Sequence, residues 1–158
     1  MKRSEIIIPI EEKSFDELSS TERELVEAAR GIARDAYAPY SRFRVGAALR
    51  LKSGLLVTGS NQENAAYPSG LCAERTALFY AGAQYPDDPV VALAVTAMRD
   101  DDLYVAVAAP CGACRQVILE TADRYKSPFP VYLAGPDSVQ IVADCRQLLP
   151  INFDASSL

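Results

Sequence analysis

The chain has 158 residues, enough for one domain with its own core and too few for two ordinary ones. Apolar residues make up 49% and charged residues 23%, a balance that excludes disorder, collagen and coiled coil. Lys and Arg number 16 against 21 Asp and Glu, a net charge of −5, which argues against a nucleic-acid partner because such binding rests on cationic contacts to phosphate. There are no histidines. A catalytic triad that needs imidazole is excluded, and a transition-metal site has to be built from cysteine and carboxylate.

In chain order, the first twenty residues read as an extended arm with a short strand, because Pro9 and the isoleucines around it disfavour a helix. The run Ile6 to Ile10 is too brief for a signal-peptide core and ends at Glu11 and Glu12. Ser19 and Glu22 have the spacing of a capping box. Behind them Leu25, Val26, Ala29, Ile32, Ala33 and Ala36 recur at helical spacing, predicting an amphipathic helix to about Ala36. The segment Tyr37-Ala38-Pro39-Tyr40-Ser41 breaks it. Val45 to Leu51 and Leu55 to Thr58 predict a hairpin turning at Lys52-Ser53-Gly54.

A loop from Gly59 to Gly70 leads to a helix from about Cys72 to Tyr80, with Gly82 as its expected C-cap. Val90 to Met98 is a nearly unbroken apolar run, as expected for a strand buried on both faces, and is well short of the roughly 18 residues a membrane helix needs. The acidic turn Asp100-Asp101-Asp102 precedes another apolar stretch to Ala109. Pro110 then opens a second cysteine-bearing helix, with Val117, Ile118 and Thr121 on its inner face. Val131 to Ala134 and Gln140 to Val142 are short strands around Gly135-Pro136, and a helical turn reaches Leu149. Strands alternating with helices predict an α/β domain with helices packed on a mixed sheet. With no membrane span and no targeting signal in view, the chain reads as cytoplasmic. In that compartment its four cysteines are expected as metal ligands or catalytic groups rather than disulfides.

Two clusters carry the chemistry: Cys72-Ala73-Glu74-Arg75 and Pro110-Cys111-Gly112-Ala113-Cys114-Arg115-Gln116. Each sits at a predicted helix N-terminus, where the helix dipole and free N–H groups suit bound thiolates. Arg75, three residues after Cys72, shares its helical face and can donate to the sulfurs. Three protein ligands around a tetrahedral zinc leave one position for water, the arrangement of a catalytic site. Cys-x-x-Cys by itself is equally compatible with a redox dithiol or with half of a structural zinc site that Cys145 would complete. Cys145 has no paired cysteine nearby and is flanked at helical spacing by Ile141, Leu148 and Leu149, which fits a small buried hydrophobe better.

Cys-Ala-Glu followed by Pro-Cys-x-x-Cys resembles the zinc nucleobase-deaminase signature, with cysteine where some members carry histidine. The run Tyr37 to Leu49 (YAPYSRFRVGAAL) resembles the corresponding segment of the cytidine deaminase family. Asn61 to Tyr67 (NQENAAY) resembles its ribose-binding loop, and Leu148-Leu149-Pro150 with Phe153 resembles its C-terminal element. The resemblance runs from about Val26 to Phe153 and is to the small, three-cysteine, free-nucleoside form of the family.

The resemblance implies a three-layer α/β/α sandwich, with a mixed five-stranded sheet and helices on both faces. It divides the chain into an N-terminal extension, residues 1–20, and a single deaminase-like domain, residues 21–158. It implies Zn²⁺ held by Cys72, Cys111 and Cys114, and Glu74 as the proton shuttle. Phe43 matches the aromatic against the pyrimidine, Asn61 and Glu63 the pair on the ribose 3′-hydroxyl, and Ala73 a backbone contact to the base. Tyr67 and Phe153 are also expected at the substrate, Tyr67 in the same loop at a subunit contact and Phe153 reaching a neighbour's pocket, in an expected homotetramer with shared active sites. Without the resemblance, a core role stays open for Phe43 and a turn role for Asn61, and a solvated loop carboxylate is the default reading of Glu63. The implied reaction is hydrolysis of cytidine or 2′-deoxycytidine to uridine or 2′-deoxyuridine with release of ammonia, a step of pyrimidine salvage. The substrate is a small nucleoside, and the partners include neither nucleic acid nor membrane. Three features depart from the family pattern: Ala109 where serine is usual, the extension before Glu22, and the acidic insertion at Asp100 to Asp102.

Overall fold

Ser19 caps the first helix as its spacing predicts: its hydroxyl accepts from the Glu22 N–H, and the Glu22 carboxylate accepts from the Ser19 N–H. In the computed structural model, which describes residues 1–99 and 103–158, this helix α1 spans Ser20–Ala33 and buries Leu25, Val26, Ala29 and Ala33. Shorter i→i−3 bonds carry the chain on to Ala36. Pro39 closes off any continuation. The turn Asp100 to Asp102 lies outside the described residues.

The hairpin forms from strands β2 (Phe43–Leu51) and β3 (Leu56–Ser60), with Gly54 at φ 93° in the turn, a conformation open to glycine. Helix α2 covers Ala73–Gln84, β4 covers Val90–Arg99, and α3 covers Gly112–Tyr125. β5 (Val131–Ala134) and β6 (Ser138–Val142) complete the domain, and a 3₁₀ turn at Cys145–Leu148 follows. The α2 helix runs through Gly82 rather than stopping there. It ends at Tyr85, which precedes Pro86 and is thereby turned out of the helical region. The inner stripe of α3 is Cys114, Ile118, Leu119 and Ala122, with Val117 and Thr121 half-buried at its margin.

The sheet has six strands, not the expected five, in the order β1-β6-β5-β4-β2-β3. The added strand is β1, Glu11–Ser14, which pairs antiparallel with β6. Without it β6 would present an unpaired backbone edge. The side chain of Arg30 on α1 fastens the residues just beyond: its guanidinium lies 4.0 Å from the Phe15 ring centroid and 4.4 Å from that of Tyr104.

β4 is buried on both faces, and its residues divide by size. Ala92 and Ala94 meet α1 together with Ala48, Tyr132 and Val139. Leu93 and Val95 face α2 and α3 together with Leu49, Ile118, Val131 and Leu133. The result is the expected three-layer α/β/α sandwich. One consequence positions the site. β2 pairs antiparallel with both β3 and β4, so β3 and β4 run in the same direction and end at the same edge of the sheet. The chain leaves β3 for α2 and β4 for α3, so both helices begin at that edge. Among the described residues no helix is long and apolar enough to cross a membrane.

Candidate active site

Cys72 is the N-cap of α2, Cys111 is the N-cap of α3, and Cys114 lies in the first turn of α3. Neither N-cap thiol takes a capping hydrogen bond, and the positive ends of two helix dipoles meet at the sulfurs. The Cys72 and Cys111 Sγ atoms are 3.9 Å apart, those of Cys111 and Cys114 3.5 Å, and all three lie within 4.8 Å of one another. Zn–S bonds of about 2.3 Å at tetrahedral angles require sulfurs about 3.8 Å apart, so the three residues fit a zinc ion. Cys145 is not part of this cluster: it is 1% exposed, packs in the core with Leu148, and donates its backbone N–H to Phe129.

The surroundings of Cys72 favour its thiolate. A hydrogen bond from the Cys114 thiol, and after it the Arg75 guanidinium, outweigh burial and lower the Cys72 thiol to about 5. Arg75 Nη2 stands 3.6 Å from Cys72 Sγ, the contact expected from their separation in sequence, although Cys72 is itself the non-helical N-cap. Cys114, which supplies that proton and is buried beside Glu74, is pushed upward instead.

Glu74 is 4% exposed. Burial raises its carboxyl above the usual range and the charge of Cys72 adds to this, while its own backbone N–H and the Cys114 thiol pull the other way. Side chains two apart inside a helix point apart, yet the Glu74 carboxyl feels both Cys72 and Cys114. Cys72 is extended, at φ −70° and ψ 153°, so the helical rule does not bind it.

Three of the residues expected at the substrate, Asn61, Glu63 and Tyr67, lie on the loop between β3 and α2. Backbone bonds run from Tyr37 N–H to the Asn61 carbonyl and from Glu63 N–H to the Tyr37 carbonyl. Gln62 and Leu71 exchange both of their bonds, which fixes the loop just before Cys72. A cavity of about 250 Å³ extends from Asn61 and Glu63 past Tyr67 to Cys72 and Arg75. The larger cavity of the chain, about 850 Å³, lies between the arm at Ile8 and Ile10 and strands β5 and β6, and none of the three cysteines lines it. Donor chemistry rather than volume locates the site.

The individual positions differ. Phe43 opens β2 and is 37% exposed, so it is not a core residue. Asn61 accepts from Val45 N–H at 2.7 Å and donates to the Phe43 carbonyl at 2.9 Å, tying the loop to the strand that carries Phe43. Glu63 accepts from the backbone N–H groups of Tyr40 and Ser41 and from the Ser41 hydroxyl. The Ser41 hydroxyl is the main influence holding its carboxyl below the ordinary value, burial opposes it weakly, and the two N–H groups add to the lowering. Ala73 is fully buried at the start of α2. Tyr67 is exposed, its ring edge-on to Tyr40 with centroids 6.4 Å apart. Phe153 is not brought to this cavity. It is exposed, and its carbonyl accepts from Gln116 on α3. Sequence reasoning assigns Ser41 no role. Its one signal is a hydroxyl in a turn segment, a position where serine bonds nearby backbone.

A family model described as the cytidine and deoxycytidylate deaminase zinc-binding region matches residues 19–126. A cytidine deaminase of Halalkalibacterium halodurans is 49% identical over 136 residues, covering 86% of this chain and 93% of that protein. A probable cytidine deaminase of Dictyostelium discoideum is 36% identical, covering 84% of each. Among solved structures, a cytidine deaminase from Burkholderia pseudomallei superposes with a TM-score of 0.69 at 42% identity, over 82% of this chain and 97% of that one. The three-cysteine centre is therefore a zinc site. Agreement over this length, in sequence and in fold, makes the chain a member of the cytidine and deoxycytidylate deaminase family.

Proposed function

We propose that the chain hydrolyses cytidine and 2′-deoxycytidine to uridine and 2′-deoxyuridine with release of ammonia. The observation that carries this reading is a buried glutamate carboxyl set against three sulfurs at zinc spacing, beside a cavity that begins at Asn61 and Glu63. Cys72, Cys111 and Cys114 would hold the zinc, which when bound would lower the pKa of water toward about 7. Glu74 takes the proton of the attacking water, passes it to N3 of the pyrimidine, and later carries a proton to the departing amine. The overall change is one water consumed and one ammonia released. No histidine competes for the role.

The remaining residues bind and orient. Phe43 packs against the pyrimidine, Ala73 meets the base through its backbone, and Asn61 and Glu63 bond the ribose 3′-hydroxyl. Arg75 offsets the charge of the thiolates. The deaminase domain is residues 21–158, with residues 1–20 an extension, and the enzyme is cytoplasmic and homotetrameric. Tyr67 and Phe153 are exposed aromatics, which suits residues that meet a neighbouring subunit; in the tetramer Phe153 reaches a neighbour's pocket. A free monomer with full activity in light scattering would contradict the tetramer. An ultraviolet assay of cytidine, with and without a zinc chelator, tests the reaction. Conversion to uridine that the chelator abolishes is expected, and a zinc-loaded protein inert toward cytidine would contradict it.

A further inference from the structure

We propose that Ser41 is a positioning residue for ribose recognition, acting through Glu63; the proposal rests on the cytidine reading above. A carboxylate has about four lone-pair sites. Three of those on Glu63 are taken: Oε2 accepts from Tyr40 N–H at 2.9 Å and Ser41 N–H at 3.2 Å, and Oε1 accepts the Ser41 hydroxyl. One site on Oε1 remains for a sugar hydroxyl. The Ser41 hydroxyl occupies one lone pair of Oε1, helps hold the carboxylate in place, and so presents the remaining lone pair to the sugar.

Ser41 is itself held. Its Oγ accepts from Phe43 N–H at 3.0 Å, so one hydroxyl links the backbone of the base-packing aromatic to the ribose-binding carboxylate. Between them Arg42 has φ 55°, a left-handed conformation that residues with a Cβ seldom adopt. Glu63 fastens the first half of this turn and Ser41 its second, and the Arg42 N–H donates to the Ala38 carbonyl at 3.0 Å. Asn61 makes no bond to Ser41 and is anchored on the Val45 N–H and the Phe43 carbonyl.

The test compares specificity constants for cytidine and 3′-deoxycytidine. The ratio of the two isolates the sugar hydroxyl, since any loosening of Phe43 affects both substrates alike. The wild type favours cytidine. In Ser41→Ala the cytidine KM rises roughly 10- to 100-fold with kcat changed far less, and the preference for cytidine falls by a similar factor, as expected on loosening a hydrogen bond to a charged acceptor. Ser41→Thr, which restores the hydroxyl, recovers the preference. In a Glu63→Ala background the preference is already low, and adding Ser41→Ala leaves it unchanged. Ser41→Gly, which also lacks the hydroxyl, supplies the same comparison should Ser41→Ala not fold. A wild-type preference retained in the folded Ser41 variant, or an equal loss with and without Glu63, overturns the proposal alone. A wild type that turns over cytidine and shows no preference overturns the Glu63 assignment together with it, and a wild type inert toward cytidine overturns the cytidine reading itself.

Discussion

Gly59 of β3 lies so close to Ala77 of α2 that a Cβ on the glycine would stand 2.6 Å from the Ala77 nitrogen and 2.8 Å from the Ala73 carbonyl oxygen. Both contacts are backbone, and no side chain can swing aside to relieve them. This approach seats the first turn of α2, and with it Cys72 and Glu74, against the sheet. Gly59→Ala should cost at least about 2 kcal/mol, at the upper end of overpacking effects. It should also weaken zinc retention, since the displaced element is the one that carries Cys72. Thermal unfolding and metal content measured on the same preparation check both.

Glu22 gives the fold an acid-sensitive contact. Burial opposes its ionisation, but the Ser19 N–H, the Lys13 ammonium at 3.0 Å and the Ser19 hydroxyl outweigh burial and lower its carboxyl from 4.5 to about 2. The unfolded chain therefore takes up this proton first. The stabilisation is full above about pH 4.5 and is lost as the pH falls toward 2. Its size is roughly 1–2 kcal/mol once partial exposure and screening are allowed for. Glu22→Gln should unfold more readily than the wild type at pH 6 and match it near pH 2. A constant difference across that range would contradict the assignment.

Cys145 separates a three-sulfur site from a closed four-sulfur one. Its thiol is buried away from the cluster, and burial pushes its pKa up. Cys145→Ser should keep one zinc per chain while losing roughly 1–3 kcal/mol of stability, because a hydroxyl replaces a weakly polar thiol in the core. Loss of zinc in that variant would contradict the three-ligand assignment.

Much of the fold is legible in the amino-acid sequence, and the exceptions have physical causes. The α1 cap, the hairpin and the doubly buried strand follow from local spacing, because each residue's environment is set by neighbours a few positions away. A short strand is expected within the first twenty residues, and β1 lies there, but its exact place is not marked: Glu-Glu-Lys-Ser has no apolar alternation. It is a strand because β6 offers an edge, which is a tertiary fact. Local signals misplace the end of α2 because Gly82 is a common stop signal, whereas Pro86 is the one that acts.

At the site, the cysteine spacings alone leave a redox dithiol open, and zinc follows from their resemblance to the deaminase signature. The Ser41 and Glu63 contact is hidden, since it depends on the bridge that lays the loop at Gln62 beside Tyr37. Phe153 follows the family pattern in sequence, yet within one chain its backbone is held by Gln116 outside the cavity.

Glu74→Gln, with zinc content and cytidine turnover determined on the same sample, is the most direct test of the proposed mechanism. Glutamine keeps the volume of the buried side chain but cannot accept and return a proton. General acid–base catalysis is worth about 10²–10⁴ in rate, and Glu74 serves more than one transfer. The variant should retain one zinc, because the carboxylate is not among the three sulfur ligands, and should lose at least that factor in kcat. A Glu74→Gln enzyme with its zinc in place and near-normal turnover would contradict the mechanism.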